Sequence, residues 1–185
     1  TMKNAGEIEI VFDQSLKDRL KIILAIDNGG WSMEPYVDLV QTLFHYARAA
    51  GYRTTYIDNQ ADFLWNGLTA ADLGVVDEWH RAPPGHPLDA DLQAADWIRS
   101  RTLELPANFI VLNKAGVHFL YEDSYPPEAA VWGPIPADYH QQPDLAVNPY
   151  DNGILYTVDA FFSRLVPDPA AGLGSTIVLY TSDHG

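Results

Sequence analysis

Short apolar, β-rich runs alternate along the chain with stretches whose apolar residues recur at helical spacing. "LKIILAID" (20–27) ends in an acid and has the continuous apolar character of a buried parallel strand. From Pro35 to Ala50, the residues Tyr36, Val40, Leu43, Phe44 and Ala47 predict a helix that Gly51 stops. "YRTTYID" (52–58) predicts a second strand, and "TAADLGVVDEWH" (69–80) a short helix capped by Thr69. Leu92, Ala95, Ile98 and Leu103 predict a further helix ended by Pro106, followed by a strand in "ANFIVLNKAG" (107–116). Five prolines between 117 and 147 predict a long irregular excursion. Ile154, Leu155, Val158, Phe161, Phe162 and Leu165 mark a long amphipathic helix, and "STIVLYTS" a last strand.

This alternation predicts one α/β domain over residues 1–185, with a mostly parallel sheet between two helical layers, a three-layer α/β/α, Rossmann-like sandwich. The strands are expected near 21–26, 53–57, 108–113 and 175–180, all ending on one rim, where such sheets bind ligands. Asp27, Asp58, Asn113 and the pair Asp183-His184 fall at those ends.

Charge and composition narrow the partners. The net charge is −14, with acids spread along the chain, which disfavours nucleic acid and anionic membrane surfaces. The absence of cysteine excludes disulfides, thiolate metal sites and a cysteine nucleophile. No apolar run is long enough to span a membrane, and the first residues lack the apolar segment of a signal peptide, so the chain reads as soluble as given.

Three constellations carry candidate chemistry, each beside a plainer reading. Asp183 and His184 suit a divalent ion such as Zn²⁺ or Mn²⁺, or form a polar turn after a strand. His118, just past the third predicted strand, is placed to touch an anionic substrate or a second metal, or packs among Phe119, Tyr121 and Tyr125. Asp27, Asn28 and Ser32 offer hard oxygen ligands, or only a strand-to-helix turn helped by Gly29 and Gly30. Arg53 and Lys114 are too isolated to form a phosphate cradle, and Gly29-Gly30 lacks the spacing of a nucleotide loop.

From about Tyr46 to the end, the chain resembles the sulfatase and phosphoethanolamine-transferase branch of the alkaline phosphatase superfamily. The resemblance rests on "ARAAGYRTTYIDNQ", "NFIVLNKAGVHFLYEDSYPPE", "YDNGILYTVDAFFSRL" and "TIVLYTSDHG", which occur in the family's order. It implies an alkaline phosphatase-like fold, metal ligation by Asp183 and His184, and a place for His118 near the transferred group. It departs from the family in two respects. No nucleophile motif lies between 28 and 46, where Ser32 and Thr42 are candidates by residue type alone, and the family continues past "SDHG". Residues 20–49 are similar instead to the opening strand and helix of von Willebrand factor A-like domains, which would make Asp27 and Ser32 ligands.

These resemblances together imply a chimera: an extension over 1–19, a grafted strand–helix unit over 20–50 and an incomplete sulfatase-like fragment over 51–185. The expected function is metal-dependent hydrolysis or transfer of a phosphate or sulfate ester, with little or no turnover. Asp27, Asp183 and His184 would weakly hold Zn²⁺ or Mn²⁺, and His118 would bind substrate. The alternatives are a non-enzymatic metal-binding module and an engineered recombined α/β protein without native function. An exposed sheet edge is expected to allow a homodimer. The resembled transferases are periplasmic and membrane-anchored.

Overall fold

The computed structural model describes residues 21–27, 37–60, 70–82, 88–104, 107–141, 145–168, 170, 173 and 175–182. Five strands form one sheet: β1 (Lys21–Asp27), β2 (Arg53–Asp58), β3 (Glu78–Arg81), β4 (Asn108–Lys114) and β5 (Thr176–Ser182). Their order is β3-β2-β4-β1-β5, and all four pairings are parallel. Parallel neighbours need crossover connections, which the helices supply, and all five strands therefore end on one rim. The four strands expected from the apolar runs are present to within two residues at each end.

Alternation along the strands divides the core between the two faces. Tyr56, Phe109 and Val111 pack with Val40, Phe44 and Ala47 of α1 (Val37–Ala49) and with Leu73 of α2 (Ala70–Leu73). Ile57, Ile110 and Leu112 pack on the other face with Ala95 and Ile98 of α3 (Ala90–Glu104) and with Phe161 and Leu165. Every residue of β4 is buried, as a strand covered on both faces must be. Gly51 ends α1 with φ of 87°, a conformation that strains any side-chain-bearing residue.

One expected element differs. The described stretch 70–80 is not a single helix: α2 is one turn, and β3 comes after it as an edge strand beside β2, while Thr69, expected as the cap, lies outside the described residues. The backbone turns at Gly74, where the N–H donates to the Ala71 carbonyl, and the β-branched Val75 and Val76 lead into extended chain. β3 is polar, and charge fastens it. Glu78 accepts from Arg53 at 3.2 Å and from Arg101 at 3.0 Å, and its other neighbour is the His80 ring nitrogen at 2.9 Å. Just before it, the Asp77 carboxylate accepts from the Thr54 backbone N–H at 2.8 Å and from the Thr54 hydroxyl at 2.9 Å.

The proline-rich excursion is irregular, as expected, but well pinned. Asn152 of α4 (Val147–Ile154) accepts the backbone N–H groups of Val131 and Trp132 through one oxygen and donates to the Trp132 carbonyl. The Tyr139 hydroxyl accepts from the Tyr121 N–H and bonds the Glu122 carboxylate. The expected long helix runs from α4 through a π turn (Leu155–Asp159) into α5 (Ala160–Leu165).

Core burial and edge charge each predict a measurable effect. Ile98 is fully buried between α3 and the sheet, so Ile98→Ala should cost about 2–5 kcal/mol in urea unfolding. The second effect concerns acid. Asp77 lies below its ordinary value chiefly through the Thr54 N–H, and burial opposes this. Burial raises Glu78, but Arg53, Arg101 and His80 outweigh it and hold the carboxyl low. A depressed folded pKa gives stability that is complete above the unfolded value of about 4 and is lost as pH falls through the folded one. Urea midpoints should therefore fall steeply below about pH 4, and Glu78→Gln should flatten that fall while lowering the midpoint at neutral pH.

Candidate active site at the carboxyl rim of the sheet

Register decides what shares the rim. Asp27, the last residue of β1, is the partner of Lys114 in β4 on one side and of Ser182 in β5 on the other. Adjacent strands lie about 4.8 Å apart. The ends of β4, β1 and β5 therefore stand side by side. The side chain of Asp27 and the residues Ser32, Asp183 and His184 lie outside the described part of the structure. Among the described residues, no group of three His, Asp or Glu side chains could hold a metal ion.

His118 is described, and it is exposed. It does not sit in an aromatic core: Tyr125 is buried, while Phe119 is 61% exposed beside it. The segment leading to His118 is fixed at each step. The carboxylate of Asp91, in the first turn of α3, accepts the backbone N–H of Ala115 at 2.9 Å and of Gly116 at 3.0 Å. Gly116 has φ of 65°, which turns the chain away from β4. Val117 packs against Gly153 so closely that a Cβ there would lie 2.9 Å from its Cγ1. The backbone N–H of His118 donates to Ser124 Oγ at 3.3 Å.

Two buried polar groups support this rim from opposite faces. Lys114 is fully buried. Its Nζ donates to the Thr157 carbonyl in the π turn at 2.6 Å and lies 4.0 Å from Asp91 Oδ2. The ammonium also sits over the Phe161 ring at 4.5 Å, so it is paired, bonded and cation–π stabilised rather than directed at solvent. On the α1 face, Asp58 Oδ1 accepts from Asn113 Nδ2 at 3.0 Å and from the Gln60 N–H at 3.0 Å. Burial and the neighbouring Asp58 together push the Tyr56 hydroxyl well above its ordinary pKa. Asp58 and Asn113, both at strand ends, are thus structural members of the rim.

Thr42 does not stand ready as a nucleophile, since its hydroxyl donates back to the Asp38 carbonyl within α1 at 2.7 Å. A cavity of about 190 Å³ opens beside β3, walled by Trp97, His80, Asn59 and Gln93. Arg81 also lines it, and three of its polar walls are bonded within the protein: His80 to Glu78, Asn59 to Asp91 and Gln93 to Asp89. Asp91 is not among the residues that the sequence singles out, although a signal is present. Asp91, Ala95, Ile98 and Thr102 share one buried stripe of α3, so this acid lies on the core side of its helix.

Similarity to known proteins bears on the same residues. The chain is 29% identical over 152 residues to Kdo(2)-lipid A phosphoethanolamine 7''-transferase of Escherichia coli, covering 78% of this chain and 26% of that protein. The corresponding protein of Salmonella typhimurium is 28% identical over 171 residues, 86% of this chain and 29% of that protein. The chain thus spans between a quarter and a third of these relatives. Its fold is similar to the C-terminal periplasmic domain of EcEptC from Escherichia coli, with a TM-score of 0.61 at 15% identity over 91% of this chain and 64% of that one. The same domain in complex with Zn superposes with a TM-score of 0.60 at 16% identity over 94% of this chain and 66% of that one. No described helix is long and apolar enough to cross a membrane. A family model described as Sulfatase matches residues 25–185, a span that takes in the end of β1 and all of α1. With its parallel sheet, helical layers and most of its length inside that match, the chain belongs to the Sulfatase family.

Proposed function

We propose that this chain forms part of the catalytic core of a metal-dependent transferase acting on phosphate esters, of the phosphoethanolamine-transferring kind found among its relatives. The observation that carries the reading is the register at the rim. Asp27 is paired with Ser182, whose next two residues in sequence are Asp183 and His184, and β4 runs on toward His118 from the neighbouring position. Two carboxylates and an imidazole are a donor set suited to Zn²⁺ or Mn²⁺, and this is the fit asked of Asp27, Asp183 and His184. A metal held there supplies Lewis-acid polarisation of a phosphoryl oxygen. The exposed imidazole of His118 can hydrogen-bond an anionic oxygen of the ester, and its anchored backbone holds it in one place at the rim. Ser32 and Thr42 remain without a role, since neither lies in a nucleophile motif. Turnover by these residues alone is accordingly expected to stay near background. As a part of a longer enzyme, the rim would carry the metal and the group-binding side of the site.

Binding and turnover test different parts of this reading. Excess Zn²⁺ should raise the melting temperature relative to EDTA, because a ligand that binds only the folded state stabilises it. Asp27→Asn, Asp183→Ala and His184→Ala should each abolish most of that rise. Identical melting curves with Zn²⁺, Mn²⁺ and EDTA would remove the metal site. Hydrolysis of an aryl phosphate should stay near the buffer rate with either metal, and robust turnover that survives Asp183→Ala would contradict the assignment.

A further inference from the structure

We propose that Asp91, with Lys114 as its buried counter-charge, is a positioning residue that aims His118 at the rim. The proposal rests on the substrate-binding role of His118 and extends the site to residues that no similarity assigns. Asp91 is 3% exposed, and both of its carboxylate oxygens accept hydrogen bonds. Oδ1 takes the Asn59 amide at 2.8 Å and the Ala115 N–H at 2.9 Å, and Oδ2 takes the Gly116 N–H at 3.0 Å. Two successive backbone donors at the end of a central strand are thereby bound by one carboxylate.

The arrangement is suited to holding a loop rather than to cementing the core. A carboxylate in the first turn of a helix is favoured by the exposed N–H dipoles there. The Lys114 ammonium, 4.0 Å away, balances its charge where water does not reach. Lys114 is itself tied to the Thr157 carbonyl, so α3, β4 and the π turn meet at this pair. Replacing a buried ion pair by two neutral groups is often tolerated, whereas removing one partner is costly. The stability of the fold can therefore be separated from the two bonds to the 115–116 backbone.

That separation gives the test. Amide hydrogen exchange and the imidazole NMR signals of His118 would be followed in the wild type, in Asp91→Asn and in the double variant Asp91→Asn with Lys114→Met, which loses both charges together. We expect exchange at Ala115 or Gly116 to rise about tenfold or more, the size of one net hydrogen bond to a charged group. Amides of β2 and α1 should be unchanged, and the His118 signals should shift. Unchanged exchange at 115 and 116, a rise in step with the whole sheet, or unmoved His118 signals would overturn the proposal. Failure of the single variant to fold leaves the same readings in the double variant, and failure of both makes Asp91 a folding residue and overturns the proposal. Titration of the wild type with inorganic phosphate and Zn²⁺ tests the underlying reading separately. Absence of any response at His118 would remove its substrate role, while the exchange data would still decide what Asp91 holds.

Discussion

Parallel pairing at the centre of the sheet is the constraint on which the rest depends. β4 lies between β2 and β1, is buried along its whole length, and has both faces covered by helices. A strand so placed has all its backbone groups paired and must present apolar side chains to both layers. Its carboxyl end then leaves the core at a fixed point, beside β1 and one strand from β5. The proposed site draws on the ends of those three strands, so an error of one residue in register would turn every later side chain to the opposite face.

The same constraint explains what could be read from the sequence. β2 and β4 carry their apolar and β-branched residues because burial demands it, and the helices beside them show their apolar stripe for the same reason, whereas β5 is an apolar edge strand that leaves Ile177 and Leu179 exposed. β3 was illegible because it is an edge strand of four residues, Glu-Trp-His-Arg, held by ion pairs that composition does not reveal. Asp183, His184 and His118 stood out as chemistry at strand ends. Asp91 did not, because one acid among many in a polar helix is conspicuous only when its position on the buried stripe is noticed. Asp58 and Asn113 looked equally chemical, and the structure commits them to each other.

Among the described residues, two groups of paired charges are placed differently. Glu78 gathers two arginines and a histidine at the sheet edge, where water still screens them. Asp91 and Lys114 instead face each other out of water, where an unpaired ion is costly and backbone donors must complete the solvation. The first arrangement secures an edge strand and the second a turn, and only the second reaches the rim.

The π turn between α4 and α5 has a consequence for helix phase. Each α-helical residue advances the side-chain direction by about 100°, and a π turn winds more slowly, so the two halves of the helix are offset in rotation. The offset lets the first half direct Asn152 and Gly153 at the excursion and at Val117, while the second half directs Phe161 and Leu165 into the sheet core. A perfectly regular helix through this segment would satisfy one of these partners only by rotating away from the other.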